Sequence, residues 1–150
     1  MEKQGYGRYE RLDPALLPPL YVAYDAELAE VSDVFHNNIR DRFNRGEKAV
    51  VEAMRFWADL TDRVRDCLLR GEKDKIGPLL NANFDRRREI YRISSRNLAM
   101  VETARSIGAS AKFSGSGGAI VGTYEDEAMF RRLEDAFEPM NIRVLKPTIT

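Results

Sequence analysis

Two short strand-like pieces, residues 111–113 and 119–121, flank five residues that are only serine and glycine: Ser114, Gly115, Ser116, Gly117 and Gly118. A two-residue hairpin needs one or two residues with positive φ, and a single Asn-Gly or Gly-Gly pair supplies them. This loop carries more glycine than such a turn requires. Almost stripped of side chains, it exposes successive backbone N–H groups, and a concave run of these favours an anion such as phosphate. A flexible turn with no ligand is the other reading, because glycine runs also serve simple turns. Two commoner phosphate signatures fail. The Walker loop places a lysine after its glycines, whereas Lys112 comes before them. The dinucleotide fingerprint needs a small residue where Ile120 stands and a helix afterwards, but residues 119–124 read as a strand.

The rest of the chain supplies elements for that hairpin to pack on. Residues 1–17 are polar and irregular, with Gly5, Gly7 and Asp13-Pro14. Pro18-Pro19 leads into a strand at 20–24, apolar or aromatic on both sides and so expected to be central and covered. Val34, Phe35, Ile39 and Phe43 follow Ser32-Asp33 and predict a helix ending near Gly46. Residues 47–70 give the strongest helical pattern, with Val50, Met54, Trp57, Thr61, Val64 and Leu68 on one stripe and Ala53, Leu60 and Cys67 beside it. Trp57 and Cys67 fall within that stripe and read as core.

A helix over about 73–91 buries Ile76, Leu80, Phe84 and Tyr91, while Asn81, Asp85 and Arg88 share a second face. Asn81 and Asn83 are poor helix formers and need a reason to be there. Either this face is solvated and carries an Asp–Arg pair, or its amides and guanidiniums meet the hydroxyls or carboxylate of a ligand. Ser94-Ser95 caps the next helix, which ends at Gly108. Strands at 109–114 and 119–124 follow. A helix led by Glu125-Asp126-Glu127 then runs to Pro139, and a last strand covers 142–145.

Composition narrows the function classes. The chain has 150 residues, enough for one domain with a real core. Lysine plus arginine (24) balance aspartate plus glutamate (24), which argues against broad electrostatic binding to nucleic acid or to an anionic membrane. One cysteine and one histidine exclude an internal disulfide and a Cys/His zinc site. The sequence shows no long apolar run and no signal-peptide pattern, so a cytoplasmic setting is expected.

Ala111-Lys112-Phe113-Ser114-Gly115-Ser116-Gly117-Gly118-Ala119 resembles the third conserved motif of the GHMP kinases. Leu16-Leu17-Pro18-Pro19-Leu20-Tyr21, Asn83-Phe84-Asp85-Arg86-Arg87-Arg88 and Met100-Val101-Glu102-Thr103-Ala104-Arg105 resemble the C-terminal half of glucuronokinase-type sugar 1-kinases in that family. The similarity runs from about Gly7 to the end of the chain. It implies an α+β, ferredoxin-like fold with a four-stranded, mainly antiparallel sheet and additional helices. The order of predicted elements agrees, with the helical stretch counted as one crossover.

The resemblance also implies a chemistry: transfer of the γ-phosphoryl group of ATP to a sugar hydroxyl, with Mg2+. The family's main phosphate loop, Pro-x-x-x-Gly-x-x-Ser-Ser, belongs to the N-terminal half and is absent from this sequence. The implied role is therefore a C-terminal half that lacks a catalytic residue of its own, expected to be inactive alone and to bind neither ATP nor Mg2+ tightly. Its partners would be the N-terminal domain and the sugar, and self-association is expected when it stands alone. Ser114, Gly115, Ser116, Gly117 and Gly118 would support the phosphate loop or the nucleotide. His36, Asn83, Asp85 and Arg87 would meet the sugar. Around His36 the chain departs from the family pattern, with Asp33 for a usual glycine and Asn37 for a usual serine, which leaves the sugar's identity open. A stand-alone binding or regulatory module that kept the fold without phosphoryl transfer is the alternative.

Overall fold

Leu20-Tyr21-Val22-Ala23-Tyr24-Asp25 forms β1 (Leu20–Asp25), the strand on which the sheet is built. In the computed structural model, which describes residues 9–26 and 39–149, it is joined by β2 (Lys112–Phe113), β3 (Ala119–Thr123) and β4 (Ile142–Leu145). The order is β2-β3-β1-β4. Every pairing is antiparallel, with Val22 opposite Val121 on one side and Leu145 on the other. The connection from β1 to β2 skips over β3, and that from β3 to β4 skips over β1. This is the split β-α-β-β-α-β arrangement.

The helices among the described residues are α1 (Ile39–Asn44), α2 (Lys48–Arg70), α3 (Ile76–Ile90), α4 (Ser95–Ile107) and α5 (Glu127–Phe137). Of the helix predicted from Val34, α1 is the described part. The rest, with His36, lies outside the described residues. No helix among the described residues is long and apolar enough to cross a membrane.

Side chains alternate across a strand, and on β1 Tyr21, Ala23 and Asp25 are buried while Leu20, Val22 and Tyr24 are half-buried. The buried face meets α4 and α5 through Met100, Val101, Ala104, Phe130, Leu133 and Phe137. β1 is central, as predicted, but only one of its faces is fully covered, because α4 and α5 lie on the same side. Phe84 of α3 meets Phe113 of β2 edge-on at 5.1 Å, a contact worth about 0.5–1.5 kcal/mol beyond the area it buries. α2 lies outside α3, so the hairpin edge of the sheet is flanked by two helices.

The helix ends follow the sequence. Ser94 Oγ accepts the Asn97 N–H at 3.2 Å, and Asp126 Oδ1 accepts that of Met129 at 2.9 Å. Each such cap contributes about 1 kcal/mol. At the end of α3, Arg42 Nη1 donates to the Ile90 carbonyl at 3.0 Å.

The strand predicted over 109–114 is shorter than its pattern suggests, and regular pairing covers only Lys112 and Phe113. The Ser110 N–H still donates to the Thr123 carbonyl at 3.1 Å. The Ala111 N–H donates to Asn81 Oδ1 at 2.9 Å. The Ser110 carbonyl accepts the buried Tyr21 hydroxyl at 2.7 Å. Gly122 lets this segment approach, since a Cβ there would stand 1.8 Å from the Ser110 oxygen.

Candidate functional site

The site is built where α2 and α3 meet the hairpin. Residues four apart share a helix face, so Asn83 and Arg87 on α3 look the same way. The Trp57 indole N–H donates to the Asn83 carbonyl at 3.2 Å and fastens α2 to this turn of α3. Between them lies a groove of about 370 Å³, walled by Met54, Trp57, Asn83, Arg87 and Tyr91 and closed on the hairpin side by Lys112, Phe113, Ser114 and Gly115. Among the described residues, no acidic side chain lines it.

Arg87 is held between two rings, 4.8 Å from the Tyr91 centroid and 5.1 Å from that of Phe113. Such stacking orients a planar guanidinium. Burial, the larger effect, lowers its proton affinity, while Tyr91 acts the other way. Lys112 donates to the Phe113 carbonyl at 2.7 Å. Its pKa lies below the ordinary lysine value, first through burial and then through the charge of Arg87. Two cations thus share one partly desolvated groove.

The glycine loop borders this groove and is fixed at its far end. The Gly118 N–H donates to Asn97 Oδ1 at 3.0 Å, in a buried position. The Gly118 carbonyl accepts the Asp25 N–H at 2.9 Å, and the Ser114 N–H pairs with the Ala119 carbonyl at 3.2 Å. Gly117 (φ 149°) and Gly118 (φ 78°) both have positive φ, which explains glycine at these two positions. The loop spans five residues between β2 and β3. Ser116 lines a narrow cleft beside the groove together with Arg87 and Asn97.

Of the residues proposed from the sequence, Ser114, Gly115, Asn83 and Arg87 therefore meet in one groove, with Ser116 adjoining it. Asp85 does not line it. Its carboxylate is largely exposed and pairs with Arg105 of α4 at 2.7 Å, so the Asp–Arg pair runs between helices and not along α3 to Arg88. Asn81 has a structural duty, holding Ala111. Arg86 stacks on Phe56 at 4.4 Å, and Arg88 is exposed.

The apolar stripe on α2 predicts Trp57 in the core; it is half-buried and walls the groove. Lys112 and Tyr91 were missed as groove residues. A lysine in an otherwise small and apolar strand, directly before a glycine loop, was the available signal for the first.

A larger cavity of about 430 Å³ opens at the other end of α3, bordered by Lys73, Asp74, Ser110, Thr123 and Glu125. Its charges are mixed and it holds none of the glycine loop, so size alone does not make it the site. Among the described residues no cluster of three carboxylate, imidazole or thiol groups could hold a metal ion.

No protein-family model matches the chain. It is 41% identical over 124 residues to "Probable glucuronokinase 2" of Arabidopsis thaliana, covering 81% of this chain and 34% of that protein. It is 39% identical over 124 residues to Glucuronokinase 1 of the same plant, with the same coverage of both. The chain thus spans about a third of the length of the curated relatives it matches. Among solved structures, the L. major mevalonate kinase complex with R-mevalonate superposes with a TM-score of 0.74 at 19% identity, covering 92% of this chain and 46% of that one. By sequence the chain is a homologue of the glucuronokinases, and its fold is that of the GHMP kinases.

Proposed function

We propose that this chain is the C-terminal, sugar-side domain of a glucuronokinase-like sugar 1-kinase that works in the cytoplasm on ATP and Mg2+. What supports the reading is the meeting of Ser114 and Gly115 with Trp57, Asn83 and Arg87 in one groove, on a chain related to glucuronokinases over 81% of its length. In phosphoryl transfer the protein contributes chiefly position and charge stabilisation. On this reading the aromatic walls take the sugar ring, and Asn83 and Arg87 orient its polar groups. The loop of Ser114, Gly115, Ser116, Gly117 and Gly118 supports the phosphate-holding segment of an N-terminal partner domain. ATP bound there supplies the transferred phosphoryl group, and the magnesium ligands belong to that partner as well.

The test is an ATP-consumption assay on the purified chain with a panel of sugars that includes glucuronic acid. No turnover and weak ATP affinity are expected of the chain alone. Turnover by the chain alone overturns the reading.

A further inference from the structure

We propose that the outer edge of β4 is a docking site for an extended segment of another polypeptide, which adds a strand to the sheet and carries lysine or arginine at alternate positions. β4 is one of the two edges of the sheet. The other, β2, is two residues long and packs against α3. The pairing of β1 fixes where the main-chain groups of β4 point. The Tyr124 N–H donates to the Pro19 carbonyl and the Asp25 N–H to that of Gly118, so the odd-numbered residues of β1 bond toward β3. In an antiparallel ladder the alternate residues bond the other way. Val22 and Tyr24 therefore bond to Leu145 and Arg143, and the N–H and carbonyl groups of Ile142 and Val144 point out of the sheet. Among the described residues no turn or loop hydrogen bond takes these groups. The strand contains no proline and pairs without a bulge, two devices that would otherwise close an edge.

The side chains beside that edge name the partner's chemistry. Ile142 and Val144 lie on the core side of β4, and a groove of about 390 Å³ runs beside them, bordered by Glu134, Glu138 and Asn141. Glu134 and Glu138 are four apart and so share one face at the end of α5. Both are exposed, and among the described residues neither is in an ion pair. A strand laid along β4 sends alternate side chains into this groove. A lysine or arginine there covers the apolar edge with its aliphatic stem and sets its charge by the carboxylates. A second copy of the chain fits less well. Pairing Ile142 with Val144 across a two-fold axis sets the two Arg143 side chains face to face and brings two acidic α5 ends together, which opposes self-pairing. The β4 edge lies across the sheet from the hairpin, so a strand bound there leaves the groove of Arg87 open.

The probe is the peptide acetyl-Val-Lys-Val-Lys-Val-amide, titrated into the whole chain and followed by amide hydrogen exchange. Saturable slowing of exchange at Ile142 and Val144 is expected. Residues directly opposite each other in such an antiparallel pair exchange both hydrogen bonds and share a face, so the lysines that enter the groove also supply the main-chain N–H donors. Methylating the lysine main-chain nitrogens should abolish the protection, whereas methylating those of the valines, which point to solvent, should leave it. Glutamate in place of both lysines should weaken binding by about tenfold or more, because two exposed ion pairs, each worth little, become two repulsions. Glu134→Lys together with Glu138→Lys should reverse that order, with far-UV circular dichroism checking the fold. If the double variant fails that check, the two methylated peptides carry the test. Equal binding of the lysine and glutamate peptides would overturn the inference. Indifference to lysine methylation would overturn it too, by showing charge attraction without strand pairing. Protection that grows with chain concentration in the absence of peptide would give the edge to a second copy instead, and no protection at any peptide concentration would leave it without a partner; both contradict the proposal.

Discussion

Replacing Asn97 by leucine tests whether α4 holds the glycine loop in place. Asn97 is 2% exposed, and its Oδ1 accepts the Gly118 N–H at 3.0 Å. Leucine is close in volume, so the cavity term is small and the main effect is a buried N–H without its acceptor. That costs about 1–3 kcal/mol. In a chain of this size each kcal/mol lowers the melting temperature by about 2–4 °C, which gives a fall of roughly 2–12 °C. Val101→Ala serves as control, since Val101 is equally buried on the same helix and acts only through lost packing. Urea melts give the global loss for both variants. Amide hydrogen exchange at Gly118 then separates them, because only Asn97→Leu should speed exchange beyond what the global loss accounts for. Equal Gly118 protection in the two variants, after correction for stability, would refute the claim that this contact fixes the loop.

Gly122→Ala should be far more damaging than Gly77→Ala in thermal melts. The first Cβ would meet the Ser110 backbone at 1.8 Å and cannot be accommodated by a rotamer change, whereas the second meets the Thr123 hydroxyl at 2.7 Å, which can turn away. A loss of about 3 kcal/mol or more against about 1 is expected, and the reverse order contradicts the packing described. The lowered pKa of Lys112 fixes a sign for pH dependence. The unfolded chain binds more protons between the lowered value and 10.5, so stability should rise with pH across that window. Lys112→Met should flatten that trend. Sedimentation of the chain alone should show self-association through the sheet face away from α4 and α5, where Leu145 is 41% exposed; a monomer at high concentration contradicts this.

The fold was legible where periodicity and punctuation agree. Ser94 and Gly108 bound α4, Asp126 starts α5, and the order of strands and helices predicts the split arrangement. Pairing did not follow from alternation at residues 109–111, because the Thr123 N–H donates to the Ser110 hydroxyl and the Ser110 carbonyl accepts the Tyr21 hydroxyl. The candidate groove could be read in part from the loop and from Arg87, which lie in dense local motifs. Trp57 was not, since a stripe on α2 cannot tell a core position from the rim of a groove until α3 is docked against it. Asp85 misled for a similar reason: its spacing suggests a partner on the same helix, and tertiary packing supplies Arg105 instead.

The central claim is that this chain can perform the task of the corresponding segment of a glucuronokinase. The most direct measurement replaces the matching 124 residues of Arabidopsis Glucuronokinase 1 by this chain and assays ATP-dependent phosphorylation of glucuronate. Phosphorylation that is lost on Arg87→Met is predicted. A folded, soluble chimera that binds ATP but leaves glucuronate unphosphorylated would contradict the account.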